Sequence, residues 1–188
     1  MFLYRAFPWL SSARPGEPGH PLYVPSPQGA GRADNPEHYL SLYLSSAPAG
    51  AVAEAFGNFP SWTPNIFVRP ELPGLVRALG TYRLSEDARI CDLDDAPTLG
   101  RLGLRPSDVV TRQTEITQRW ALRIFREGHW IGFRWWSYYD PRWYSYALWE
   151  RSRLSVERVE PLALDHPAVV EAADVLRRPR ATWRPRAT

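Results

Sequence analysis

Lysine is absent from this 188-residue chain, cysteine and methionine occur once each, and long apolar runs are missing. All 23 basic side chains are therefore arginine, and the formal net charge is only +3. Five of them, Arg177, Arg178, Arg180, Arg184 and Arg186, crowd the last twelve positions. The rest of the chain is close to neutral, which weakens any general case for nucleic-acid binding. The basic end reads as a solvated tail or as a contact for an anionic partner. Cys91 stands alone, which excludes an intrachain disulfide and fits a reducing cytoplasm. No stretch approaches the ~20 apolar residues that cross a bilayer. Residues 1–12 lack the basic and apolar regions of a secretory leader. His20, His38, His129 and His166 show no metal-ligand spacing, so no metal is expected. Gly-x-Gly-x-x-Gly, Walker and nucleophile-elbow patterns are also missing, which argues against Rossmann, P-loop and serine-hydrolase sites.

What is present is a mixture of strand and helix patterns without strict alternation, so the expected class is α+β in one domain. Phe2–Phe7 reads as a strand carrying Arg5, and residues 10–35 as an irregular loop rich in Pro and Gly. Tyr39–Leu44 alternates as a half-buried strand, and Ser45 or Ser46 is expected to cap a helix to about Phe56. Pro70–Leu79 reads as a short helix ending at Gly80, followed by strands at Thr81–Leu84 and Arg89–Leu93. Asp95 and Gly103 bracket another helix. Ser107–Glu127 predicts a single long one, with Ile116, Trp120 and Ile124 on one face. A hairpin turning near Asp140–Pro141 is expected within Trp130–Trp149. A strand over Leu154–Val159 and a helix capped by Asp165, running to about Arg178, complete the pattern.

The chemistry-bearing residues sit at even spacing. Arg32, Tyr43 and Glu54 follow one another at intervals of eleven residues, and Trp135-Trp136-Ser137 lies far downstream. An arginine can hold a phosphate, an aromatic face can hold a planar ring, and a carboxylate can stabilise a developing cation. Those are the parts needed to bind a pyridine dinucleotide and break its glycosidic bond. Glu54 falls on the small-residue side of its helix, beside Ala47, Gly50 and Ala51, where a ligand can approach closely. Arg5 lies among Tyr4 and Phe7, where a buried guanidinium needs an anion: a diphosphate, or a carboxylate such as Asp34 or Glu37. Tyr43 suits packing as well as stacking. Ser137 suits a phosphate contact, the orientation of a neighbour, or a plain turn. Ten of the twenty residues in 130–149 are aromatic. Core packing takes most of them, and a surplus would make an apolar partner surface or a base-stacking platform.

Taken in order, these segments resemble the RES domain family, named for its arginine, glutamate and serine. The matching residues are Leu3-Tyr4-Arg5-Ala6, Gly31-Arg32 with Asn35-Pro36, Leu42-Tyr43-Leu44-Ser45 and Ala51-Val52-Ala53-Glu54. They continue with Asp92-Leu93, Leu102-Gly103-Leu104, Thr117-Gln118-Arg119-Trp120-Ala121 and Ile131-Gly132-Phe133-Arg134-Trp135-Trp136-Ser137. Ala33-Asp34 stands where the family often has an aromatic or large residue.

The resemblance implies a fold similar to ADP-ribosyltransferase toxins, with mixed sheets flanked by helices. A RES domain would span residues 1–178, with its motifs within 2–149, leaving an Arg-rich tail at 179–188. It implies a toxin that cleaves the nicotinamide–ribose bond of NAD with water or phosphate as acceptor. NAD is then a substrate, inorganic phosphate a candidate co-substrate, and no prosthetic group is needed. Catalytic roles fall to Glu54, Arg32 and Ser137, and substrate binding to Arg5, Arg32, Tyr43 and Ser137. The expected partner is a separately encoded antitoxin of the Xre-like helix-turn-helix type, meeting the residue 10–35 loop and the aromatics near Trp143. Neither a membrane nor direct contact with nucleic acid is expected, and a homodimer is a candidate assembly. ADP-ribosyl transfer to a protein is the alternative reaction, and a nucleic-acid-binding module the alternative class.

Overall fold

A computed structural model describes residues 1–68 and 74–181. Its strands are β1 (Phe2–Trp9), β2 (Leu42–Ser45), β3 (Val76–Leu84), β4 (Ile90–Asp92), β5 (Gly132–Trp136), β6 (Tyr144–Leu148) and β7 (Leu154–Pro161). Its helices are α1 (Pro48–Phe56), α2 (Ala96–Leu102), α3 (Pro106–Val110), α4 (Thr114–Arg126) and α5 (Pro167–Val175). The strands form one mixed sheet in the order β4-β5-β6-β2-β1-β3-β7, with β4 and β5 parallel and the other neighbours antiparallel. The α+β expectation holds. No helix among the described residues is long and apolar enough to cross a membrane.

Two groups of helices share one face of the sheet. α1 and α5 pack through Val52, Phe56, Val169 and Ala173 onto Leu79, with Tyr4 and Ala6 of β1 against the same cluster. α2 and α4 pack through Leu99, Leu102, Trp120 and Ile124 onto Cys91, Phe133, Trp135 and Ala147. Leu3, Leu42, Leu44, Tyr82, Tyr146 and Leu148 form a further cluster with Val24 of the N-terminal loop. Each large apolar side chain removed from water contributes about 1.5–3 kcal/mol against the entropy of ordering the chain. The two helix groups leave a gap between them, above the junction of β1 and β2.

Several local expectations give way to tertiary contacts. The helix expected over Pro70–Leu79 lies partly outside the described residues, and Val76–Leu79 belongs instead to β3, paired with β1. Pairing along the whole of β1 outweighs the local helix signal, and Gly80 sits inside a strand rather than ending a helix. The single helix expected over Ser107–Glu127 is broken at Thr111–Gln113. The carbonyls of Asp108 and Val109, which would continue the helical ladder, instead accept from Trp120 Nε1 and Arg32 Nη1.

Tyr39 precedes β2 rather than lying in it, and its ring packs on Phe125 and Trp149 at centroid distances of 4.7 and 5.1 Å. Neither Ser45 nor Ser46 caps α1. Its N-cap is Ala47, and Ser46 Oγ accepts from Tyr144 N–H at 2.9 Å. His166, not Asp165, caps α5, through Nδ1 and Ala168 N–H. The hairpin near Asp140 forms as expected. Residues 182–188 of the Arg-rich tail lie outside the described residues.

Candidate active site

α1 delivers the carboxylate. Its sequence, Pro-Ala-Gly-Ala-Val-Ala-Glu-Ala-Phe, starts on a proline suited to the first turn and continues with side chains small enough for close docking. A Cβ added at Gly50 would fall 2.3 Å from Ser45 Oγ and 3.3 Å from Trp143. A larger residue there would have to displace the Ser45 hydroxyl and crowd the Trp143 ring. One turn later, Glu54 reaches the ends of β5 and β6. Ser137 Oγ donates to Glu54 Oε1 at 3.0 Å, and Ser145 Oγ donates to the same oxygen at 3.3 Å. No hydrogen bond reaches Oε2 from the described residues, so one oxygen is anchored and the other is open to the cleft.

Glu54 is exposed toward the cleft yet crowded by protein on its other sides. Desolvation by that crowding raises its pKa, opposed by the two serine hydrogen bonds and by the charge of Arg32. Arg32 stands across the cleft with its guanidinium 5.5 Å from the Trp135 ring centroid and Nη1 donating to the Val109 carbonyl. Burial lowers its pKa, and the nearby Glu54 carboxylate opposes the shift. It remains a cation at any working pH.

Arg5 enters from β1. Its Nη1 donates to the carbonyls of Pro21 (3.2 Å) and Tyr23 (2.9 Å), and the guanidinium lies 5.4 Å from the Phe7 ring centroid. Neither arginine forms an ion pair with Asp34 or Glu37. Asp34 instead accepts from the Tyr43 hydroxyl at 2.6 Å, while that hydroxyl accepts from Ala33 N–H at 3.0 Å. Burial first, then the Asp34 carboxylate, pushes the Tyr43 pKa far above its ordinary value, so the phenol stays protonated.

These groups surround a cleft of about 380 Å³. Arg5, Arg32, Tyr43 and Glu54 all line it, together with Tyr4, Trp135 and Ser145. Ser137 does not line it; it acts behind Glu54 and takes Tyr139 N–H at 3.2 Å. Ser145, which lines the cleft and bonds Glu54, is a site residue that sequence reasoning missed. Its signal is the register that sets Ser145 opposite both Trp135 and Ser45, which is invisible before the strands are paired.

The aromatic surplus expected near Trp143 is also corrected. Trp143 is only 5% exposed because it packs between α1 and the sheet. Tyr138, at 72% exposed, is the open aromatic of that region, with the Arg112 guanidinium 5.6 Å from its ring centroid. Among the described residues, no group of three His, Cys, Asp or Glu is placed to hold a metal ion.

A carboxylate crowded by protein, with one free oxygen and the Arg32 guanidinium across an aromatic cleft, is built to bind an anion beside a centre that becomes positive. Comparison with known proteins bears on which family uses it. No curated protein sequence matches the chain. Its fold is similar to a chain in the crystal structure of the M. tuberculosis MbcT–MbcA toxin–antitoxin complex. That likeness has a TM-score of 0.57 and 12% sequence identity, and covers 94% of this chain and 88% of that one. The family model for the RES domain matches residues 3–175, nearly the whole sequence and every residue of the cleft, and the chain belongs to the RES domain family.

Proposed function

We propose that this protein consumes NAD by cleaving the bond between nicotinamide and ribose. The observation that carries the reading is the anchoring of Glu54, held by two serine hydroxyls through one oxygen with the charge of Arg32 across the cleft. The arginines would hold the diphosphate, and Tyr43, Tyr4 and Trp135 offer faces for the planar ring.

The C1′–N bond of the nicotinamide riboside breaks heterolytically, and its electron pair leaves with nicotinamide, which becomes neutral. The ribosyl carbon becomes an oxocarbenium ion, whose charge the Glu54 carboxylate stabilises. An oxygen of water or of inorganic phosphate then bonds to C1′ and releases its proton to solvent. The products are nicotinamide with ADP-ribose, or nicotinamide with the 1-phosphate of ADP-ribose. Transfer to a protein would use the same cation with a side-chain nucleophile.

Such an activity drains the host of NAD, so the chain is read as a toxin controlled by a cognate antitoxin. Membership of the RES domain family and the likeness to a chain from a toxin–antitoxin complex support this role. Tyr138, exposed next to Ser137, is the aromatic we assign to that contact.

Purified protein incubated with NAD, with and without phosphate, tests the reaction directly. Nicotinamide release is expected, and the phosphate dependence of the second product identifies the acceptor. A stable covalent label on a macromolecule from labelled NAD would favour transfer. Unchanged NAD under every condition, with folded and antitoxin-free protein, rejects the reading.

A further inference from the structure

Asp34 is 5% exposed and accepts three hydrogen bonds within the protein. Gly29 N–H (2.9 Å) and Gly31 N–H (2.7 Å) donate to Oδ2, and the Tyr43 hydroxyl (2.6 Å) donates to Oδ1. On the other side of the same two glycines, Gln118 Nε2 on α4 donates to the carbonyls of Gly29 and Gly31, each at 2.9 Å. One carboxylate and one carboxamide thus satisfy the N–H and C=O groups of both glycines. Asn35 Nδ2 donates to the Gln118 carbonyl at 3.0 Å, which ties the far end of the turn to α4 as well.

The space is made for glycine at position 31. A Cβ there would fall 2.3 Å from Tyr43 Oη and 2.8 Å from Asp34 Oδ1. Arg32 follows directly. Its backbone belongs to no helix or long ladder, so side chains rather than secondary structure hold it in place.

We propose that Asp34 is a positioning residue that sets Arg32 and Tyr43 in register across the cleft, with Gln118 as its counterpart on α4. Asp34 contacts no part of the cleft that a substrate would fill; it acts through the turn before Arg32 and through the Tyr43 hydroxyl. Only an ionised carboxylate fits this task at full strength, because all three partners are donors. An asparagine of the same shape would present its NH2 to at least one of them. For its effect on turnover the proposal rests on the NAD reading above, whereas its effect on the turn does not.

The test compares Asp34→Asn, Gln118→Ala and Tyr43→Phe with the unaltered protein in two measurements. In steady-state kinetics on NAD, Asp34→Asn is expected to raise KM about tenfold or more while kcat falls less, as a displaced binding group demands. Combined with Tyr43→Phe it should be less than additive, since that variant already removes the shared bond. In amide hydrogen exchange, Gly29 and Gly31 are expected to exchange at least roughly tenfold faster in Asp34→Asn, with global protection unchanged.

A wild-type KM together with unchanged exchange at the two glycines overturns the proposal. A uniform loss of kcat and melting temperature with no change in KM also overturns it, by making Asp34 merely structural. If Asp34→Asn does not fold, Gln118→Ala carries the same two measurements. Should the unaltered protein leave NAD intact, the NAD reading fails, while exchange at Gly29 and Gly31 still decides whether Asp34 holds the turn.

Discussion

The two halves of the sheet differ sharply from the junction between them. β1 pairs with β3 along its whole length, from Phe2 opposite Arg83 to Trp9 opposite Val76, and β3 pairs with β7 nearly as far. On the other side, β2, β6 and β5 are held in continuous register from Leu42 to Trp136. Between these halves, the pair Tyr4 and Ser45 alone joins β1 to β2. Where the ladders are complete, backbone groups satisfy each other and the sheet face supports a core. Where the ladder lapses, the strands themselves border the cleft: Tyr4, Arg5 and Ala6 of β1 and Tyr43, Leu44 and Ser45 of β2 all line it. The cleft therefore forms where backbone pairing stops, between two halves that are each paired along their strands.

That contrast predicts that stability and activity respond to different residues. The largest effect on folding is expected in the well-paired half. Phe133, fully buried beneath Trp120, should cost about 3–5 kcal/mol when truncated to alanine, read from denaturant unfolding. Catalytic constants of the molecules that remain folded should change little. At the seam the pattern reverses. Glu54→Gln should lower kcat for nicotinamide release roughly a hundredfold or more with an unchanged or higher melting temperature. Parallel loss of both would make Glu54 structural and erase the distinction between the regions. Arg32→Ala should act mainly on KM for NAD, by about tenfold, since a cation holding the diphosphate binds ground and transition states alike. An unaltered KM would remove Arg32 from substrate binding.

pH gives a finer test, because the raised pKa of Glu54 acts with opposite signs on rate and stability. The rate needs the ionised carboxylate, so it should rise with pH through the raised pKa, with its acidic limb above the ordinary carboxylate range. Stability should fall over the same window, since between the unfolded and folded pKa values the folded protein binds more protons. Glu54→Gln should abolish that stability slope. The smallest effect expected is that of Ser145→Ala. Losing one donor to Oε1 should move the acidic limb further up by a fraction of a pH unit and slow turnover a few-fold. A limb that stays in place would assign the anchoring to Ser137 alone.

Much of the site was legible before the fold. Residue chemistry and family motifs point to Glu54, Arg32, Tyr43 and Arg5, and all four line one cleft. The same motifs point to Ser137, which stands behind Glu54. Ser145 and Asp34 were missed as contributors for a common reason. A serine in a strand and an aspartate in a Gly-rich loop are ordinary in local sequence, and only their partners make them special. The two main structural misreadings have the same origin. Val76–Leu79 has no local strand signal strong enough to outweigh its helix pattern until β1 lies beside it. The break between α3 and α4 depends on Arg32 and Trp120 taking two carbonyls from far along the chain or across a turn.

The sequence by itself determined which groups are available: arginine as the basic residue, a carboxylate on a helix of small residues, aromatics in alternating strands. It also determined the class of fold, because apolar periodicity and turn residues act over a few positions and need no distant partner. Tertiary structure alone decided that the sheet parts between β1 and β2, that Glu54 keeps one oxygen free, and that Asp34 and Gln118 grip the turn before Arg32. Each of these depends on groups many residues apart meeting at hydrogen-bond distance, and local periodicity carries no record of such meetings.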